Sequence, residues 1–274
     1  MKKIMVGIGV SLMLVVAGCG ASDSAAGESK EKTESKSKTL AEGDFAKMYS
    51  NPKSYKGYNV EFTGQVFVEP EKDEDGTYLQ IYANPEDAEW NTIVAIKDPG
   101  LEVKTNDYVV VKGKVKDEFE GENLMGGSMV LPAIEADSVE VVDYVTAVAP
   151  TLKEVKVDQT QDQHGLKLTV QKVEMAENQT RVYVQAENGT KESASVYPFN
   201  IKLLVGDQQL EEDSVYDTGL PELQSELLPG VKTEGVIIYK ALDPGTKDMK
   251  IHAEASNENY DLDWKPFVFD VKAE

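Results

Sequence analysis

An all-β chain in two successive units is what the sequence predicts, and three observations carry the prediction. Asn59 to Val68 (NVEFTGQVFV) alternates strictly, with Val60, Phe62, Val66 and Val68 on one face and Glu61, Thr63, Gln65 and Phe67 on the other. Turn signals recur at short intervals, among them Asp75-Gly76, Asn188-Gly189, Gly206-Asp207 and Asp243-Pro244-Gly245. Composition changes over Asp143 to Pro150 (DYVTAVAP), which sets a polar linker over residues 143–159 between the units. With 274 residues, of which 41% are hydrophobic, the chain can bury two small cores.

The first segment has another purpose. Lys2 and Lys3 precede an apolar run from Ile4 to Ala17. That run is short for a bilayer span, which takes ~20 residues, and suits a signal peptide over residues 1–18. Val16-Ala17-Gly18-Cys19 resembles the bacterial lipobox. The resemblance implies a diacylglyceryl group, with its palmitate-like chains, on the Cys19 thiol and cleavage just before that residue. Two or three acyl chains, at ~0.8 kcal/mol per buried CH₂, hold a protein durably on a bilayer. The expected location is therefore the outer face of the cytoplasmic membrane, with the lipid bilayer as partner. Residues 20–39 (GASDSAAGESKEKTESKSKT) are mixed in charge and rich in serine, and predict a disordered tether extending from Cys19 to about residue 43.

From residue 44 the pattern becomes globular. Asp44 to Tyr49 (DFAKMY) predicts a short helix closed by Asn51-Pro52. After the alternating strand come Tyr78 to Tyr82, Asn91 to Ile96, Tyr108 to Lys116, a turn over Glu118 to Asn123, and Leu131 to Val142. Five strands, with Gly64 and Gly113 where a small barrel must bend, predict an OB-like barrel over 44–142. The stretch is similar to OB-like modules of Gram-positive secreted and lipid-anchored proteins. Tyr55-Lys56-Gly57, Val60-x-Phe62-x-Gly64-x-Val66, Val109-x-Val111-x-Gly113-x-Val115 and Pro132-x-Ile134-x-Ala136 carry that likeness.

Beyond the linker, strands are predicted at Leu166–Val173, Arg181–Glu187, Val196–Val205, Gly235–Lys240, Met249–Ala255 and Phe267–Val271, a β-sandwich over 160–274. Leu168-Thr169-Val170, Val182-Tyr183-Val184, Glu187-Asn188-Gly189, Tyr197-Pro198-Phe199-x-Ile201, Leu228-Pro229-Gly230 and Gly235 to Tyr239 carry a second likeness. They resemble the telokin-like, immunoglobulin-type domain of unknown function common in Gram-positive lipoproteins. That resemblance implies a fold and no activity.

Charge excludes one class of partner. Acids outnumber bases 49 to 28, a net −21. The barrel segment holds nine lysines against twenty acids, and residues 151–274 hold thirteen bases against twenty-three. Both units repel phosphate backbones, so no nucleic-acid partner is expected. Of the basic residues only Arg181 is an arginine, which removes the bidentate forks used to capture phosphate.

Motifs for catalysis are missing. Ser128 lacks the G-x-S-x-G elbow, His164 and His252 lack metal-ligand spacing, and there is no P-loop. No catalytic residue and no cofactor is assigned. The nearest approach to a metal loop is Glu71 to Gly76, with Asp73 and Asp75 as ligands, but Tyr82 stands where its twelfth-position glutamate belongs. The candidate binding patch is aromatic: Phe67, Tyr78, Tyr82 and Trp90, with the helix residues Phe45, Met48 and Tyr49 as the alternative cover for those rings. The expected function is a binding or protein-interaction module. Alternatives are an accessory subunit of a membrane transport or envelope-stress complex, or a carboxylate-based hydrolase.

Overall fold

Five long strands build the first unit, with the two-residue strand Glu71–Lys72 paired to the start of the second: β1 (Asn59–Val66), β2 (Thr77–Asn84), β3 (Glu89–Ile96), β4 (Tyr108–Glu122) and β5 (Ser128–Val142). The computed structural model describes residues 38–122, 126–216, 218–259 and 261–273. The signal peptide, Cys19 and most of the tether lie outside the described residues. β1 pairs antiparallel with β4 along Asn59–Gln65, and with β2 at Gln65 and Val66. β2 pairs with β3, β3 runs parallel to β5, and β5 returns antiparallel to β4. The order β1–β2–β3–β5–β4–β1 therefore closes on itself, leaving no open edge around the ring.

Alternation decides what fills the barrel. Val60, Phe62 and Val66 of β1 meet Leu79 and Ile81 of β2, Val94 of β3, Val109, Val111 and Val115 of β4, and Ile134 of β5 in one buried cluster. Two glycines let strands approach more closely than a side chain allows. A Cβ on Gly64 would stand 2.6 Å from the Tyr82 carbonyl oxygen, and one on Gly113 would stand 2.4 Å from that of Glu135. Helix α1 (Phe45–Ser50) covers the core with Phe45 and Met48.

Two barrel expectations need correction. Val68 lies outside β1 and is exposed, because the strand ends at Val66, whose backbone bonds to Asn106 and Asp107. Glu118 to Glu122 is not a turn: it pairs with Ser128–Pro132 as the distal half of a long ribbon. Much of that ribbon faces water on both sides, so the apolar alternation that marks a strand is missing there.

The second unit is a sandwich of two four-stranded antiparallel sheets. One has the order β11–β8–β7–β6, from β6 (Lys153–Gln163), β7 (Leu166–Met175), β8 (Gln179–Asn188) and β11 (Lys232–Lys240). The other has the order β10–β9–β12–β13, from β9 (Ile201–Val205), β10 (Gln208–Leu210), β12 (Asp248–Ala253) and β13 (Phe267–Lys272). Leu166, Leu168, Val170, Val184, Ile251, Phe267 and Phe269 belong to a single core shared by the two sheets. All-β architecture is thus the outcome for the whole described chain.

Here too the sequence-derived bounds shift. Residues 143–159 are not an unstructured linker: they hold helix α2 (Tyr144–Ala147) and the first part of β6. The strand expected over Val196–Val205 is shortened to Ile201–Val205, because Pro198 opens a 3₁₀ turn over Pro198–Asn200.

β6 lies at one edge of its sheet, and its glutamines reach the edge of the other. Gln159, Gln161 and Gln163 stand opposite Val170, Leu168 and Leu166, so their side chains share the core-facing side. Gln161 Nε2 donates to the Val268 carbonyl at 2.5 Å while its Oε1 accepts from the Val268 N–H at 3.3 Å. Gln163 does the same with Lys265, at 2.6 and 3.0 Å, and Gln159 Nε2 donates to the Asp270 carbonyl at 3.0 Å. The amides of Gln159 and Gln161 thereby replace the neighbour that β13 lacks, and that of Gln163 ties down the segment before it, a guard against edge-to-edge pairing. Gln161→Leu should cost about 1–3 kcal/mol for two lost bonds and raise the rate of concentration-dependent aggregation. Urea melts and light scattering check this; a variant as stable and as soluble as the parent sinks the interpretation.

Candidate functional site

The two units meet over a small apolar junction built on two tyrosines. Asp143 caps α2, its Oδ1 accepting from the Thr146 N–H at 2.7 Å. The capped turn buries Tyr144, whose ring meets Tyr108 edge-on with centroids 5.7 Å apart. Tyr108 opens β4 and points away from the barrel interior, since Val109 and Val111 point in. With Ala149 and Ala176 these tyrosines form a small core of their own.

Three side chains of the sandwich fasten the segment that follows. Arg181 is fully buried; its Nε and Nη2 both donate to Glu174 Oε2, at 3.1 and 2.9 Å. Its Nη1 donates to the Ala149 carbonyl at 2.8 Å and its Nη2 to Thr151 Oγ1 at 2.7 Å. Glu174 also accepts from the Tyr183 hydroxyl at 2.9 Å and from Lys172. Burial by itself raises the Glu174 pKa, but Lys172, Tyr183 and Arg181 outweigh it and hold the carboxyl at about 2. The second side chain, Asn178, donates through Nδ2 to the Val148 carbonyl at 3.1 Å. The third, Gln179, accepts the Tyr144 hydroxyl on its Oε1 at 2.8 Å. Burial raises the pKa of Tyr144, which keeps that hydroxyl protonated and donating.

Beside this junction lies a cleft of about 400 Å³, a size suited to a small ligand. Gln65, Pro85, Glu86 and Tyr108 line it from the barrel, and Asn178, Gln179, Ile238 and Asp213–Tyr216 from the sandwich. Two of the lining residues each carry a fully buried polar atom without a protein partner: Gln179 Nε2, a donor, and Asn178 Oδ1, an acceptor. Gln179 is only 4% exposed. An unpaired buried polar group costs about 1–3 kcal/mol, a cost these two atoms carry out of reach of the cleft's open surface.

The four aromatic residues expected to form a patch sit in separate contacts. Trp90 stacks on Phe45 and Tyr49 of α1, with centroids 5.8 and 5.5 Å away, so the helix covers it. Phe67 and Tyr82 stack on each other at 3.8 Å and stay half-exposed, and the Tyr78 hydroxyl donates to Asp73 at 3.3 Å. Asp73 Oδ1 also accepts from the backbone N–H groups of Asp75 and Gly76, which makes it a hairpin-tip residue. No group of three metal-ligating side chains occurs among the described residues. His164 lies edge-on to Trp264 with its Nε2 3.2 Å from the Asp263 carbonyl oxygen, and His252 lies on β12.

No protein-family model matches the chain, and no curated protein does either. Solved structures that resemble part of it include a functionally unknown protein from Listeria monocytogenes, 14% identical, with a TM-score of 0.38 over 48% of this chain and 94% of that one. The yjhA protein from Bacillus subtilis is 20% identical, with a TM-score of 0.34 over 44% of this chain and 99% of its own. A conserved hypothetical protein from Bacillus anthracis is 17% identical, with a TM-score of 0.31 over 44% of this chain and 96% of its own. Likeness at these scores carries no statement about activity.

Sequence reasoning missed Asn178, Gln179 and the structural use of Arg181. One signal was available: a solitary arginine in a chain otherwise served by lysines suggests a fixed, multidentate role.

Proposed function

We propose that this chain is a lipid-anchored extracytoplasmic binding module, with an OB-like barrel followed by a telokin-like, immunoglobulin-type sandwich. The strand order β1–β2–β3–β5–β4–β1, with β3 parallel to β5, supports the first label, and the two facing four-stranded sheets support the second. Val16-Ala17-Gly18-Cys19 after a short apolar run supports the anchor. The observation that carries the binding role is the cleft, which is lined by residues of both the barrel and the sandwich.

Anchor and role are tested separately. Cys19→Ala should abolish incorporation of labelled palmitate and leave the precursor at full length; labelling that persists in the variant removes the lipobox reading. For the role, photo-crosslinkers at Glu86 and Ser214, on the two walls of the cleft, should capture a ligand or partner in living cells. The same groups at Glu120, twelve residues along β4 from the cleft residue Tyr108, should not.

A further inference from the structure

We infer that the cleft and its rim dock a lysine- or arginine-rich extended segment of another protein, a step that rests on the binding-module reading and adds the partner's chemistry. The rim offers the contact surface. Val215 and Tyr216 line the cleft yet stay 39% and 80% exposed, two large side chains left open to water. They are presented from a fixed edge: two residues earlier, the Asp213 N–H donates to the Ile238 carbonyl on β11 at 2.8 Å. The barrel contributes the turn between β2 and β3, through Pro85 and Glu86.

Charge selects the occupant. Glu86 lines the cleft from the barrel and Asp213 from the sandwich, and no lysine, arginine or histidine lines it. Asp87 and Glu89 follow Glu86 along the barrel turn, and Glu212 precedes Asp213. All five carboxylates are exposed, and none belongs to an ion pair among the described residues. Lys53, Lys56, Lys97, Lys112, Lys114 and Lys116 of the barrel all pair with other acids. Lys202, which draws on Glu212, is already bonded to Glu211. From Leu203 to Val231 the chain carries seven acids and no base. Anionic segments are therefore repelled. No three metal-ligating side chains converge among the described residues, which removes a divalent ion. A small diamine can neutralise Glu86 and Asp213 but leaves Val215, Tyr216 and the outer carboxylates uncovered. An extended basic segment meets every feature. One cationic side chain enters between the walls, its neighbours reach Asp87, Glu89 and Glu212, and an apolar or guanidinium group lies on Tyr216. The chain's own lysines at 30, 32, 36 and 38 arrive at the other end of the barrel. Lys38 and Leu40 bond to Asn59, which opens β1, whereas the cleft residue Gln65 lies about 20 Å further along that strand.

The test uses the full chain in detergent and a fluorescein-labelled peptide, Lys-Leu-Lys-Phe-Lys, followed by fluorescence anisotropy. Comparators are the same peptide with glutamine, or with glutamate, in place of each lysine. Putrescine and an unlabelled peptide of residues 28–38 serve as competitors. The lysine peptide should bind saturably and the two comparators should not. Glu86→Gln combined with Asp213→Asn should weaken it by about tenfold, and Tyr216→Ser several-fold. Glu120→Gln, which removes an equally exposed acid far along β4, should leave affinity unchanged. Each of these side chains is exposed, so the variants keep the parent's fold, and urea melts verify it. Absence of saturable binding overturns the inference, as does equal loss in Glu120→Gln, which marks attraction to net charge alone. Binding of the glutamine peptide removes the role of charge. Full competition by putrescine assigns the cleft to a small amine, and tighter binding by the 28–38 peptide assigns it to the chain's own lysines; either result also overturns the inference. Should the crosslinkers at Glu86 and Ser214 capture a partner while the lysine peptide stays unbound, the basic segment falls and the binding-module reading stands.

Discussion

Arg181→Met lowers the stability of the chain by roughly 3–5 kcal/mol, the usual cost of removing one partner from a buried ion pair. The substitution leaves the buried Glu174 carboxylate without the guanidinium that donates twice to its Oε2, and frees the Ala149 carbonyl, while the Thr151 hydroxyl keeps its bond to Glu174. Urea melts should show the loss at neutral pH. The double variant Arg181→Met with Glu174→Leu should recover much of it, because the pair's value lies in mutual compensation of two desolvated charges rather than in net attraction. A single variant as stable as the parent shows that water reaches Glu174. The pH dependence carries a definite sign. Glu174 is held at about 2 in the folded chain against an ordinary value of 4.5. A carboxyl depressed on folding contributes stability that is complete above its unfolded pKa and disappears as pH falls through the folded one. This contribution therefore drains away between about pH 4.5 and pH 2. In Glu174→Gln that acid-dependent part should be absent, which melts at pH 7, 4 and 3 can detect.

How much of this was legible beforehand depends on where each strand keeps its apolar residues. β1, the first half of β4 and the middle of β5 wear theirs in alternation, and those stretches are legible in the sequence. β6 was missed because its sequence, KEVKVDQTQDQ, has only Val155 buried; its second half is fixed by glutamines reaching the opposite sheet. No apolar period records a contact made by side-chain amides to a backbone more than a hundred residues away. The cleft was illegible for a similar reason. Glu177-Asn178-Gln179 reads as an ordinary polar turn between two strands, and its meaning appears only when Val148 and Tyr144 fold against it. For the aromatic residues, alternation leaves two readings open, a patch of Phe67, Tyr78, Tyr82 and Trp90 or a cover from the first helix; α1 lies over Trp90, while Phe67 and Tyr82 stack on each other.

Gly113→Ala, although it adds a single methyl group, should cost the barrel about 3 kcal/mol, the upper part of the usual range for overpacking. Gly113 sits where the β4–β5 pairing changes register, opposite Val60 on one side and Ala136 on the other. The added carbon would lie 2.4 Å from the Glu135 carbonyl oxygen and 2.7 Å from the Ala136 Cα. Both are backbone atoms of a paired strand, so no rotamer change relieves the clash; β5 has to move away, and with it Ile134, which fills the core. Gly43→Ala is the matched control, since its new Cβ meets nothing within 4 Å. That control should be neutral or slightly stabilising, because alanine narrows the unfolded ensemble. The chain carries two tryptophans, Trp90 in the barrel and Trp264 in the sandwich, so a Trp264→Phe background lets Trp90 fluorescence follow the barrel alone. In that background the Trp90 midpoint in urea should fall clearly for Gly113→Ala and hold still for Gly43→Ala. If the two variants melt together, the close approach of β4 and β5 does not govern closure of the barrel, and the bend expected at this glycine has some other origin.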